Sequence, residues 1–355
     1  MSDNRDLIVI VGAGIIGLNV ASVLAERGLG RCITVVAEHL PGDGSINYTS
    51  PWAGANFSAI SGSDSNALRW DRAGYQYLMN MAKRVGKACF IQPATSTEYW
   101  DEEISHEKIQ SLSEYLEDFR AIPAGDLPDG VSSGVSYTTV TINTPKHLEW
   151  FYHHLKDVHD IRFTRRKIAN INDAYLSTRT RVVFNCTGNG AKSLKGVEDA
   201  NCYPTRGQIV LAKAPDVRLN MVRHGRDHVT YIIPRPFSGG NVILGGYMQK
   251  GVSTGDTFSH ETDSIMERTR ALSSEVEKAN PEILAVLAGL RPSRDGGARV
   301  EATTTLIGKE ERLLIHNYGA GGTGFQAGRG MALDAVASAE SIFQSISEMA
   351  TQAKL

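Results

Sequence analysis

"LIVIVGAGIIGLNVASVLAERG", residues 7–28, decides how the rest of the chain is read. An apolar run at 7–11 enters a glycine turn, and a proline-free, apolar-rich segment continues to about Arg27. The run has the length of a buried strand and the segment that of a helix. "RCITVVAEH" (31–39) supplies a second strand, so the pieces make a βαβ unit with G-x-G-x-x-G at Gly12, Gly14 and Gly17. Gly12 makes the turn, Gly14 admits a pyrophosphate to the helix N-terminus, and Gly17 lets helix and strand pack closely. Glu38, closing the second strand, is placed to accept hydrogen bonds from an adenosine ribose.

The 355 residues, 41% of them apolar, suffice for one large or two intertwined domains with a proper core. Lys+Arg 37 against Asp+Glu 39 leaves a net charge of −2, which gives no reason to expect nucleic acid or an anionic membrane as partner. The polar start "MSDNRDL" does not resemble a signal peptide, and no uninterrupted apolar run is long enough to span a bilayer. Cys32, Cys89, Cys186 and Cys202 are scattered without metal-type spacing and fit reduced thiols in an intracellular protein.

Two later segments read as returns to the first sheet. "RVVFNCTGNGAKSL" (181–194) is a short apolar strand ending in Cys-Thr-Gly, followed by a helix start. A strand from Arg312 runs into "HNYGAGGTGFQ" (316–326) and then an amphipathic helix with Met331, Val336, Ile342, Phe343 and Ile346 near helical spacing. Residues 205–250 hold β-rich runs bounded by Gly, Pro and Asn, which read as an antiparallel sheet. Residues 258–289 read as helical. The expected class is α/β: a discontinuous Rossmann-like dinucleotide domain (1–58, 145–200 and 300–355) with an antiparallel-sheet substrate domain (59–144 and 201–299).

A second glycine loop on a returning strand, followed by a long helix, suits a ligand gripped at both ends. FAD fits better than a nicotinamide dinucleotide, its adenine end at the first turn and its ring near the last. The helix N-terminus after Gly324 puts a positive dipole end near the flavin pyrimidine.

In this order, "VGAGIIGL", "YTSPWAGAN", "FNCTG", "RGQ", "YIIPRP", "GLRPSR", "GGARVE" and "HNYGAGGTGFQ" resemble the D-amino-acid oxidase and D-aspartate oxidase family, in its fungal form, over nearly the full chain. The resemblance implies non-covalent FAD and oxidative deamination of D-amino acids, with O2 as acceptor and hydrogen peroxide as product. It implies flavin contacts at Gly12, Gly14, Ile15, Ile16, Gly17, Glu38, His39, Thr49, Ser50, Gly54, Ala55, Asn56, Ile168, Thr187, Gly188, Arg291, Gly321, Gly322, Gly324, Phe325 and Gln326. Arg291 matches the arginine that clamps the substrate α-carboxylate, its planar fork suiting bidentate pairing. Tyr231 matches a tyrosine on the same carboxylate, and Gly322 a backbone carbonyl that accepts from the substrate amine. Asn56 points to the ring edge. No side chain is expected as acid or base, because the α-hydrogen leaves as hydride; His316 reads as structural and the pair His153–His154 as lying on a helix surface.

In "GGYMQKG" (245–251) this chain departs from the family. Met248 stands where members often carry a tyrosine or arginine, so no second substrate contact carries over from that position, and Tyr247 just before it either compensates or falls short. "NMVRHGRDHVTYIIP" (220–234) holds Arg223, His224, Arg226 and His228 close together just ahead of Tyr231. The expectation drawn from them is an acidic substrate, D-aspartate, met by one of these cations, Arg223 first and with it His224, or else Arg226; the alternative is a general oxidase of neutral D-amino acids. A NAD-dependent dehydrogenase predicts a colourless protein, and a flavin-retaining interaction protein predicts a yellow one that D-amino acids do not bleach. Ala353-Lys354-Leu355 has the pattern read by the peroxisomal import receptor, so the expected address is the peroxisome matrix. A homo-oligomer is compatible with the sequence, and no metal is expected.

Overall fold

The computed structural model describes residues 5–343 and residue 346. The terminal Ala353-Lys354-Leu355 lies outside the described residues. The chain divides into two compact units, Met1–Pro51 with Leu148–Tyr203 and Pro292–Leu355, and Trp52–His147 with Pro204–Arg291. Trp52–Ser58 thus fall in the second unit and Pro292–Arg299 in the first.

A six-stranded sheet forms the first unit, in the order Arg299–Ile307, Glu310–Tyr318, Val182–Asn185, Ile8–Val11, Ile33–Ala37, Arg162–Arg165. Its last five strands are mutually parallel, and only the outer pair, Arg299–Ile307 with Glu310–Tyr318, is an antiparallel hairpin. Ile8, Val9 and Ile10 are fully buried on both faces, as a parallel sheet covered on both sides requires. Helices Ile15–Glu26 and Gly324–Ala337 pack against each other. Gly12, Glu38, Thr187 and Gly319 all follow the carboxyl ends of parallel strands, where ligands of such sheets bind.

The second unit is built on a sheet in the order Gln249–Lys250, Cys202–Lys213, Asn241–Gly245, Val229–Pro234, Asn220–His224, Ile91–Trp100, Ser133–Ile142, Ala55–Asn56, with Glu282–Arg294 paired to Cys202–Lys213. One neighbouring pair departs from the antiparallel expectation. Asn220–His224 runs parallel to Ile91–Trp100, Arg223 opposite Tyr99 and His224 opposite Trp100. The helical reading of 258–289 needs correction at its end. Helices span Ser259–Leu272 and Ser274–Ala279, and a strand begins at Glu282. Asn280 closes the second helix in the left-handed region (φ 42) and Pro281 cannot continue it, so the apolar run after them is extended.

All four cysteines are buried and unpaired. Among the described residues no helix is long and apolar enough to cross a membrane.

Candidate active site

In the first unit, the turn between Ile8–Val11 and Ile15–Glu26 has a shape only glycine allows. Gly12 sits at φ +111, and a Cβ there would overlap Cys186 O; a Cβ at Gly17 would overlap Gly12 O. The helix carries no acid in its first turn, and its N-cap, Gly14, offers no side-chain acceptor. Ser50 Oγ accepts the Ile15 N–H at 3.0 Å, and the Tyr48 hydroxyl pins the turn by donating to Ala13 O at 2.7 Å. This bare, positively polarised helix end, with no Cβ to hinder approach, fits the diphosphate of a dinucleotide.

Further along the same sheet edge, Glu38 pairs with Lys167 Nζ at 3.0 Å in an exposed contact. His39 Nδ1 lies 3.8 Å from Asp43, and its enclosed Nε2 has no partner. Thr187 donates through Oγ1 to Asn185 Oδ1 at 2.7 Å, and Gly188 follows at φ +57. Thr49 and Ser50 are half-buried, as is Ile168, which packs on the core of this unit. The second glycine turn leaves Glu310–Tyr318 through Gly319 (φ +86) and Gly321 (φ +57) into helix Gly324–Ala337, whose N-cap Thr323 makes no side-chain cap. Gly322 is exposed on this turn, while Phe325 and Gln326 are buried in the first helical turn. Two helix N-termini with no acid in their first turns therefore follow strands of one sheet edge, which suits a long anionic dinucleotide.

His316 is structural in geometry. It is buried, with Nδ1 3.3 Å from Asn185 Nδ2, and burial pushes its pKa down to about 4. His153 is exposed and His154 half-buried on their helix.

The second unit carries the Arg291–Tyr231 pair. Arg291 Nη1 donates to Tyr247 O at 3.0 Å, and Nη2 lies 3.4 Å from the Tyr231 hydroxyl. Glycines shape the surface under both side chains. A Cβ at Gly207 would overlap Arg291 Nη1 and stand 2.7 Å from its Cζ. Cβ atoms at Gly245 or Gly246 would overlap the Tyr231 ring or stand 2.5 Å from its hydroxyl. The guanidinium packs against one glycine and the phenol against two, and their polar ends meet at 3.4 Å. Arg291 is half-buried, and no carboxylate of the described residues pairs with it. On the same unit Gly54 packs on Ile243, where a Cβ would stand 2.5 Å from Cγ2. Ala55 is buried, and Asn56 Nδ2 donates to Phe57 O at 3.2 Å.

The two cations expected to select an acidic substrate are engaged elsewhere. Arg223 Nε pairs with Asp101 at 2.8 Å, and its Nη2 lies 3.4 Å from Asp129 O. His224 Nε2 lies 2.9 Å from Glu98, and its ring stacks on Trp100 at 4.9 Å. Glu98 is fully buried and also accepts the Ala59 N–H and the Tyr137 hydroxyl. The parallel pairing of Asn220–His224 with Ile91–Trp100 brings these carboxylates in from more than a hundred positions upstream, which a local reading of the basic stretch does not see. Arg226 and His228 are exposed, Met248 is half exposed, and Tyr247 is half-buried under Arg268. Sequence reasoning missed Gly207, Gly245 and Gly246; the motifs "RGQ" and "GGY" were the available signal.

A parallel sheet whose carboxyl edge carries glycine-shaped turns running into helix N-termini defines a dinucleotide-binding α/β protein. Residues 8–337 match the family model described as DAO, FAD dependent oxidoreductase. The chain is 45% identical over 334 residues to the D-amino-acid oxidase of Schizosaccharomyces pombe, covering 93% of this chain and 94% of that one. It is 28% identical to the D-aspartate oxidase of Cryptococcus neoformans var. grubii, covering 94% and 97%. Among solved structures it is similar in fold to glycine oxidase from Geobacillus kaustophilus (TM-score 0.68, 17% identity, 92% of each chain). L-proline dehydrogenase from P. horikoshii is also similar (TM-score 0.70, 14% identity, 92% and 91%). The chain belongs to the DAO family of FAD-dependent oxidoreductases, and FAD is its cofactor.

Proposed function

We propose that this protein oxidatively deaminates D-amino acids, using O2 and releasing a 2-oxo acid, ammonia and hydrogen peroxide. The observation that carries the proposal is the Arg291–Tyr231 pair, a glycine-bedded clamp with an uncompensated charge. FAD, held without a covalent link at the glycine turns of Gly12, Gly14 and Gly17 and of Gly321, Gly322 and Gly324, would supply the two-electron acceptor for the α-hydrogen and the route of those electrons to O2. The clamp's work is orientation: Arg291 and the Tyr231 hydroxyl fix the α-carboxylate and with it the direction of the Cα–H bond. The amine lone pair then forms the C=N bond, and water hydrolyses the imino acid. No side chain moves a proton in the oxidation step.

For the substrate side chain, the geometry favours neutral D-amino acids, because Arg223 and His224 are already balanced by Asp101 and Glu98. The name of the 45% identical relative supports the same choice. The second reading is an acidic preference, as for D-aspartate; it is supported by the exposed Arg226 beside the clamp strand and by the name of the 28% identical relative.

Peroxide release across a panel of D-amino acids, with anaerobic bleaching of the flavin, tests the proposal. D-Alanine or D-methionine should exceed D-aspartate, and the L-enantiomers should be silent. A panel with no D-amino-acid turnover defeats the proposal; D-aspartate leading the panel moves it to the second reading. A peroxisomal address is part of the proposal, because peroxide is best made where it is destroyed. Fusing the terminal residues through Ala353-Lys354-Leu355 to a fluorescent protein should give punctate, peroxisomal fluorescence, and diffuse fluorescence removes this part.

A further inference from the structure

Helix Ser259–Leu272 buries Glu261, Ile265, Met266 and Thr269. Positions 261, 265, 268 and 272 form one stripe turned toward the sheet, where an apolar residue is the ordinary choice at 268. Arg268 stands there instead. Its Nη1 donates to Thr230 Oγ1 at 2.6 Å and to Val229 O at 3.3 Å, its Nη2 to Gly246 O at 3.1 Å, and its Nε to Ser264 Oγ at 3.3 Å. The guanidinium carbon stands 5.4 Å from the centre of the Tyr247 ring. Every one of these acceptors is neutral, so a half-buried charge is held by carbonyls and hydroxyls alone.

These contacts converge on the end of the strand pair that builds the clamp. Tyr231 and Gly245 are register partners, and the Gly246 N–H donates to Val229 O at 3.0 Å. The next residue, Tyr247, offers the carbonyl that accepts from Arg291. We infer that Arg268 is a positioning residue for the carboxylate clamp. By lacing Val229, Thr230 and Gly246 together it fixes the glycine bed under Tyr231 and the Tyr247 carbonyl that aims Arg291. The inference rests on the clamp holding the substrate carboxylate, as proposed above. A guanidinium suits this place because its planar fork serves several acceptors in fixed directions, whereas an ammonium on a flexible stem serves fewer.

The test uses flavin-loaded protein and propionate, a carboxylate with no amine, titrated by the perturbation of flavin absorbance. R268M should raise the propionate dissociation constant about tenfold, with a matching fall in kcat/KM for D-alanine. R268K should recover part of both, because it restores the charge and some of the donors. A merely structural role for Arg268 lowers flavin content and melting temperature and leaves the propionate affinity of the flavin-bound fraction unchanged. That result, or an R268M dissociation constant within about twofold of the parent's, overturns the inference while the parent stays active. A parent protein that neither binds propionate nor oxidises any D-amino acid overturns the clamp reading and this inference together.

Discussion

Arg291 lies against Gly207 so closely that the smallest possible side chain there would stand 2.7 Å from the guanidinium carbon. The contact makes a glycine two strand positions into "RGQ" part of how the cation is aimed. Gly207→Ala should therefore leave a folded, yellow protein whose Arg291 is displaced. Misplacing a binding group by about 1 Å is worth about a hundredfold in rate, and kcat/KM for the best D-amino acid should fall by about that much. Activity within threefold of the parent would show that the strand yields and that the close packing is incidental.

Gly14→Val bears on the other unit. A Cβ at Gly14 stands 3.1 Å from Ser50 Oγ, and two further methyls must enter either that hydroxyl's place or the space before the helix end. The expected product is a folded but colourless apoprotein, checked by the ratio of visible to 280-nm absorbance beside far-ultraviolet circular dichroism. Full flavin content would mean that the diphosphate does not approach this turn.

Removing Arg223 should not change which substrate is preferred. Its partner is Asp101, just past the end of the neighbouring strand, so Arg223→Ala should lower stability by about 1 kcal/mol and lower kcat/KM for D-alanine and D-aspartate by similar factors. The measurement is the ratio of the two specificities beside a urea denaturation curve. A selective collapse for D-aspartate would return Arg223 to the substrate.

Acid should destabilise the protein through buried imidazoles. Burial pushes His147 down to about 4, against the opposing effect of its Nδ1 contact with Cys89 O at 2.8 Å, and pushes His316 to about 4. In the unfolded chain both titrate near their ordinary value of about 6.5. Between these values the unfolded state holds more protons, so the stability they support is whole above about pH 6.5 and is lost as pH falls toward 4. Each group adds a slope of about 1.4 kcal/mol per pH unit in that window. Unfolding free energies at several pH values should show the slope, and His316→Asn should flatten it.

The parts of the molecule written in short, contiguous stretches were legible in the sequence, and those depending on distant pairing were not. The strand, glycine turn and helix of residues 8–26 declare themselves because hydrophobic period, turn and close packing fall within a few residues. The extended course of 282–289 was hidden, because an apolar run without a clear period suits either element until Asn280 and Pro281 are weighed as a stop. Arg223 and His224 looked uncommitted because Glu98 sits on another strand and Asp101 just past its end. The reason for Gly207 became visible only with Arg291 beside it, since a glycine in a strand marks a close approach without saying to what.

The parallel pairing of Asn220–His224 with Ile91–Trp100 also sets an order of events during synthesis. The carboxylate of Glu98 and the imidazole of His224 are 126 positions apart, so the earlier strand leaves the ribosome well before its partner exists. Closing so long a loop precedes any reward from the contact, which makes this pairing a late step in folding. Until then the Glu98 side chain must stay hydrated, and the strand that bears it presents an open edge to other nascent chains. Ribosome-held chains stopped before residue 220 should therefore be far more sensitive to protease at 91–100 than chains that extend past residue 235.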